Sequence, residues 1–170
     1  MDPLQALAWD EVATDAWWLP PDALSLSGVA AFEALPLEMR RRLSHLEFAW
    51  ILENGLWLES LFIERFGRAA GDDAADLALR MRYLHEVREE AGHSLMFLEL
   101  LGRTGMRVPE RARPRSALAT AAARLLPFSG ALFRTLTVIG EELGDSLTRM
   151  VPAAVENVTV SAVVYHMARL

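Results

Sequence analysis

The chain has 170 residues, 52% of them hydrophobic, with 17 basic against 23 acidic side chains and a net charge of −6. That hydrophobic fraction excludes a disordered chain, and the acidic balance argues against a nucleic-acid partner, whose phosphates would be repelled. Cysteine is absent, so disulfides and thiolate metal sites are excluded, and a metal could be held only by carboxylate and imidazole.

The opening Met1-Asp2-Pro3-Leu4 lacks the positive region of a signal peptide. No uninterrupted apolar run reaches the roughly 18 residues of a membrane span. One cytoplasmic domain over residues 1–170 is expected, with an all-α fold. Residues 1–17 read as a short helix, with Leu4, Leu7, Ala8 and Val12 on one side, broken by Trp17-Trp18-Leu19-Pro20-Pro21. From there to Leu35 an irregular arm is expected, too apolar to be a free tail.

Pro36 suits the first turn of a helix running to about Phe66 and stopping near Gly67. Its apolar stripe is Phe48, Leu52, Leu56, Phe62, Ile63 and Phe66. Glu59 lies in the middle of that stripe, with Gly55 one turn earlier leaving room beside it. Glu53 and Glu64 point away, more than about 100° off at 100° per residue. A buried Glu59 needs an arginine or a cation, and the stripe offers no arginine. His45, on the same helix, reads as a hydrogen-bonded core histidine.

Gly71-Asp72-Asp73 supplies a turn and an N-cap. The next helix is expected to reach about Leu101, stopped by Gly102 and Gly105. Glu90-Ala91-Gly92-His93 sits on it, and helical spacing puts Glu90 and His93 on one face with Leu79, Tyr83, Glu86, Phe97 and Leu101, all within about 60°. A Glu-x-x-His pair aimed into a bundle is how helical proteins build di-iron and di-manganese sites. A polar pair at a helix edge would have the same spacing. Arg82 and Glu86 flank Glu90 and could orient it. Phe62, Phe97 and Leu101 could line a pocket or pack in the core. His85 points away and should be exposed.

Residues 102–115 hold Pro109, Pro114 and five arginines, a linker with a solvated surface. Ser116 caps a third helix that Pro127 interrupts, and Ser129–Met150 continues with Leu132, Leu136, Ile139, Leu143, Leu147 and Met150 on one stripe. Glu142 sits at the edge of that stripe and Glu141 opposite, so periodicity prefers Glu142 over Glu141 as an inward carboxylate, and a solvent-facing pair fits the pattern equally well. After Pro152, Val155–Leu170 forms a last apolar helix, with Val155, Thr159, Ala162, Val163 and His166 on one face. On the residues alone, His166 is a hydrogen-bonded core histidine before it is a ligand.

Glu59, Glu90-x-x-His93, a glutamate in the third segment and His166 together resemble the ferritin-like di-iron oxygenases, specifically the p-aminobenzoate N-oxygenase family. The resemblance spans roughly Trp17 to His166. It rests on Arg42-Leu43-Ser44-His45, Gly55-Leu56-Trp57-Leu58-Glu59, Glu89-Glu90-Ala91-Gly92-His93 and Gly140-Glu141-Glu142-Leu143. It implies an antiparallel four-helix bundle behind an irregular N-terminal arm. It implies metal ligands at Glu59, Glu90, His93, Glu141 or Glu142, and His166, holding two iron ions, with manganese as the other fit. The implied enzyme is a non-haem oxidoreductase that moves oxygen from O2 to the nitrogen of a small aromatic amine, drawing on an electron donor the sequence does not identify.

The family's fourth helix carries a glutamate four residues after the histidine that His166 matches, and here that position is Leu170. Weak metal occupancy and little turnover are therefore expected of these 170 residues. An apolar groove along Leu52, Leu56 and the Glu90 stripe, closed by a homodimer, is expected too. Two other classes share the pattern. One is a metal-binding homologue with impaired catalysis. The other is a metal-free helical interaction protein.

Overall fold

The computed structural model describes residues 7, 9–72 and 76–109, with isolated helical positions at Thr120, Ala121, Arg124, Leu125, Thr135, Val138, Glu142 and Ser146. All regular structure among the described residues is helical. Two 3-10 turns, Trp9–Glu11 and Pro21–Ala23, precede a one-turn helix α1 (Ala30–Glu33). Two long helices follow, α2 (Leu37–Ala70) and α3 (Leu77–Thr104).

Helices α2 and α3 pack against each other along their length. Phe66 meets Tyr83, Glu59 meets His93, and Gly55 meets Phe97, so contacts advance along α3 as they retreat along α2, and the pair is antiparallel. The seam holds Phe48, Leu52, Met96, Phe97 and Leu100, each at 0% exposure. Full burial of Leu52 closes the groove expected along Leu52 and Leu56 at its first residue.

Both helices run past the first glycine expected to stop them, and α3 ends at the second, Gly105. Gly67 lies inside α2, which continues through Ala70 because Arg68 pairs with Glu64 one turn back and Arg80 Nε donates to the Ala70 carbonyl. Gly102 lies inside α3, where Arg103 pairs with Glu99 at 2.6 Å. A lone glycine costs a helix about 1 kcal/mol, which flanking pairs and packing override. The real stop of α3 is Gly105, whose φ of +63° is the left-handed conformation that ends helices. Its N-cap is Asp76, accepting from the Leu79 amide at 2.8 Å. Asp73, in the cap suggested by the sequence, lies outside the described residues. At α2, Pro36 occupies the cap position itself.

The short helix expected over residues 1–17 is not formed where the chain is described: Val12 to Asp15 is irregular, and only Trp9–Glu11 makes a turn. The apolar side chains of this stretch are used differently. Leu7, Trp9, Trp18, Leu19, Leu24 and Phe32 join one core with Phe48, Leu52, Phe97 and Leu100. Trp18 is wholly buried, its ring edge-on to Phe48 and 4.4 Å from His45. Its backbone amide donates to Ser44 Oγ and its indole to the Ala13 carbonyl. His45 Nε2–H donates to the Ala16 carbonyl at 2.7 Å, and burial pushes its pKa below the ordinary imidazole value. It is the hydrogen-bonded core histidine expected from the sequence. Asp10 and Arg103 tie the arm to the end of α3, and Ser25 ties it to Glu47.

On the far side of α2, Trp57 Nε1 donates to Thr120 Oγ1 at 3.0 Å, Arg65 donates to the Arg124 carbonyl, and Arg124 pairs with Glu64. Trp57 meets 120 and Glu64 and Arg65 meet 124, so this helical stretch advances in the same direction as α2. No helix among the described residues is long and apolar enough to cross a membrane.

Candidate metal centre

The seam between α2 and α3 is apolar except at one level, where Glu59 faces Glu90 and His93. Glu59 and His93 are buried, and Glu90 is nearly so. His93 Nδ1 lies 3.3 Å from Glu59 Oε1 and 3.3 Å from Glu90 Oε2. The three groups can each offer one donor atom with all pairs within 4.8 Å. Metal–ligand bonds of roughly 2.1 Å put neighbouring donors of one coordination sphere about 3 Å apart, so the spacing suits a shared cation.

Placement follows from helix geometry. Glu90 and His93 are one turn apart and project from the same face of α3. Glu59 is brought opposite them by the antiparallel register. The space beside Glu59 that Gly55 was expected to leave is instead filled by Phe97. A Cβ built on Gly55 would lie 2.9 Å from Phe97 Cε2.

The electrostatics show a site short of positive charge. Burial pushes the Glu59 carboxyl up to about 8, against the pull of His93, and the neighbouring Glu90 charge adds to the rise. Burial opposes ionisation of Glu90 too, but hydrogen bonds to His93 and Glu59 overcome it and hold that carboxyl below the usual range. For His93, burial favours the neutral ring, and the two carboxylates overcome it and raise the imidazole to about 9. A proton on Glu59 and one on His93 thus do the work of a cation at neutral pH. Even so, Glu59 Oε2 and His93 Nε2 are buried with no hydrogen-bond partner among the described residues. An orphaned buried carboxylate oxygen costs about 1–3 kcal/mol. That oxygen is a hard donor of the kind iron and manganese take, so the residues present fit such an ion.

Glu142 is helical and exposed. Glu141 and His166 lie outside the described residues. Arg82 is exposed and pairs with Glu86 at 3.9 Å instead of reaching Glu90. Phe62 packs beside Phe66. Phe97 is wholly buried in the core, the packing role its helix face allowed. It does more than fill the core: its ring stacks on His93, with centroids 6.5 Å apart and planes at 17°. The i,i+4 spacing of His93 and Phe97 was the available signal. His85 is exposed, as its helix face implied.

Comparison with curated proteins and with solved structures finds no match. Comparison with family models finds one that covers residues 1–165, described as p-aminobenzoate N-oxygenase AurF. A match over nearly the whole chain, with a buried Glu, Glu and His cluster on two antiparallel helices, shows that this protein belongs to the AurF family of p-aminobenzoate N-oxygenases.

Proposed function

We propose that the chain is a di-iron carboxylate protein that oxidises the nitrogen of a small aromatic amine with O2. The observation that carries this reading is the buried Glu59, Glu90 and His93 cluster, three convergent donors in an otherwise apolar seam. Family membership supports the di-iron assignment and the substrate class. In this reading α2, α3 and the segments holding Glu141 or Glu142 and His166 form a ferritin-like four-helix bundle in one domain. The later segments would add Glu141 or Glu142 and His166 to the ligands.

The chain's own residues have three tasks. Glu59, Glu90 and His93 hold the cation with hard oxygen and nitrogen donors. The fully buried Phe97, Met96 and Leu100 keep water from that level of the seam, which strengthens every electrostatic interaction there. Glu59 and His93 give up their protons when a cation arrives. Bound iron supplies the capacity to reduce O2. In the simplest turnover, one oxygen atom enters an N–H bond of the amine and the other leaves as water, with two electrons and two protons from an external donor.

Metal analysis of the purified protein tests the assignment. Bound iron that is lost in Glu90→Ala is the expected result, with two irons per chain supporting the oxygenase and about one supporting a metal-binding homologue of impaired catalysis. An Fe(II)-loaded protein that converts p-aminobenzoate to N-oxidised product under O2 would establish the substrate class. Wild-type protein that retains no iron, manganese or cobalt would refute the reading.

A further inference from the structure

Metal-binding histidines are usually aimed by a hydrogen bond from their second ring nitrogen to a carboxylate or carbonyl. His93 lacks that device among the described residues, since its Nε2 is buried without a partner. Its Nδ1 contacts to Glu59 and Glu90, both at 3.3 Å, are given up when Nδ1 takes a metal, so another group must then aim the imidazole. Phe97 is the group in position to do so. It sits one turn after His93 on α3, is wholly buried, and lays its ring nearly parallel to the imidazole at 17°.

Phe97 is in turn located by α2. The missing side chain of Gly55 is the seat of its ring, because a Cβ there would come within 2.9 Å of Cε2 and 3.5 Å of Cδ2. The nearer distance is shorter than any contact a real Cβ makes. The Phe97 ring is at 0% exposure in a close-packed core, so a Cβ at Gly55 would force it off its present position. We infer that Gly55 and Phe97 are positioning residues for the metal ligand His93: the gap at Gly55 seats Phe97, and the Phe97 ring aims the imidazole by stacking where a hydrogen bond would ordinarily aim it. This inference rests on the metal-binding reading above.

The test is a double-mutant cycle on the purified chain, read by Co(II) titration, the visible Co(II) ligand-field spectrum and thermal melting. Co(II) is the probe because its spectrum reports ligand orientation without requiring turnover. Gly55→Ala should push the Phe97 ring off its seat, weaken Co(II) binding by about 10-fold or more, as loss of an orienting partner does, and change the spectrum. Phe97→Leu keeps an apolar filler but removes the stack, and should weaken binding to a similar extent. Gly55→Ala with Phe97→Leu should regain thermal stability, because leucine has no ring to meet the new methyl. Its Co(II) affinity should stay as low as in Phe97→Leu alone. If Gly55→Ala does not fold, Phe97→Leu and the double variant still decide the matter.

Wild-type affinity and spectrum in Phe97→Leu would overturn the inference while leaving the metal site standing. Affinity that recovers along with stability in the double variant would also overturn it, showing that the pair acts only through packing. Wild-type protein that binds no Co(II), or a Glu90→Ala variant that binds it equally well, would overturn the metal reading and this inference together.

Discussion

Three side chains in the α2–α3 seam carry opposing demands. Burial, with the Glu90 charge beside it, raises the Glu59 carboxyl to about 8 against the pull of His93, whereas the two carboxylates raise His93 to about 9 against the burial that favours its neutral ring. A cation entering this site must displace those protons, so metal binding at pH 7 should release close to two of them. Calorimetry in buffers of different ionisation enthalpy measures that number, and affinity should rise steeply from pH 6 to pH 8. The metal-free protein should show the opposite trend in stability. Both groups bind their proton more tightly folded than unfolded, where their ordinary values are 4.5 and 6.5. Their stabilisation is complete below those values and is lost as pH rises through about 8 and 9. The melting temperature of the apo protein should therefore fall between pH 6 and pH 9, and a Glu59→Gln, His93→Gln variant should lose most of that dependence.

At the scale of elements, α2 and α3 owe their length to packing more than to local propensity, as their passage through Gly67 and Gly102 shows. Their ends obey local chemistry more closely. Asp76→Ala removes the side-chain cap of α3 and should cost about 1 kcal/mol in denaturant unfolding. The arm behaves differently. It has almost no regular structure, yet it supplies Trp18 to the core, tilted against His45 and edge-on to Phe48. Trp18→Ala should cost about 3–5 kcal/mol, the range for emptying a large buried aromatic site. That comparison separates the roles: the cap trims one helix end, whereas the arm is part of the fold. A Trp18→Ala variant as stable as wild type would show that the arm is a detachable strap.

For the molecule as a whole, metal and fold should be linked. The cluster joins Glu59 of α2 to Glu90 and His93 of α3, so a bound ion ties the two long helices together, while the unfolded chain scatters the same residues. A ligand at 100 times its dissociation constant adds about 2.7 kcal/mol to folding stability. Adding Fe(II) or Co(II) anaerobically should raise the melting temperature in a concentration-dependent way. Glu90→Ala should melt at the same temperature with and without metal. Metal-independent melting of the wild type would count against a site formed by folding.

Much of this was legible in the sequence for a definite physical reason. Helical period alone sets which residues share a face, so the Glu90 and His93 pair, the inward Glu59, the outward His85 and the all-helical class could be read directly. The family could be read too, because it follows from residue types at fixed spacing. Period says nothing about which face meets which neighbour. Only the antiparallel register of α2 and α3 set Glu59 opposite His93, put the Phe97 ring where Gly55 has no side chain, and turned an apolar N-terminal stretch into core filling instead of a helix. Those outcomes depend on contacts between residues about 30 to 40 positions apart in the chain, where close packing outweighs the ~1 kcal/mol preferences of individual residues for helix, turn or stop.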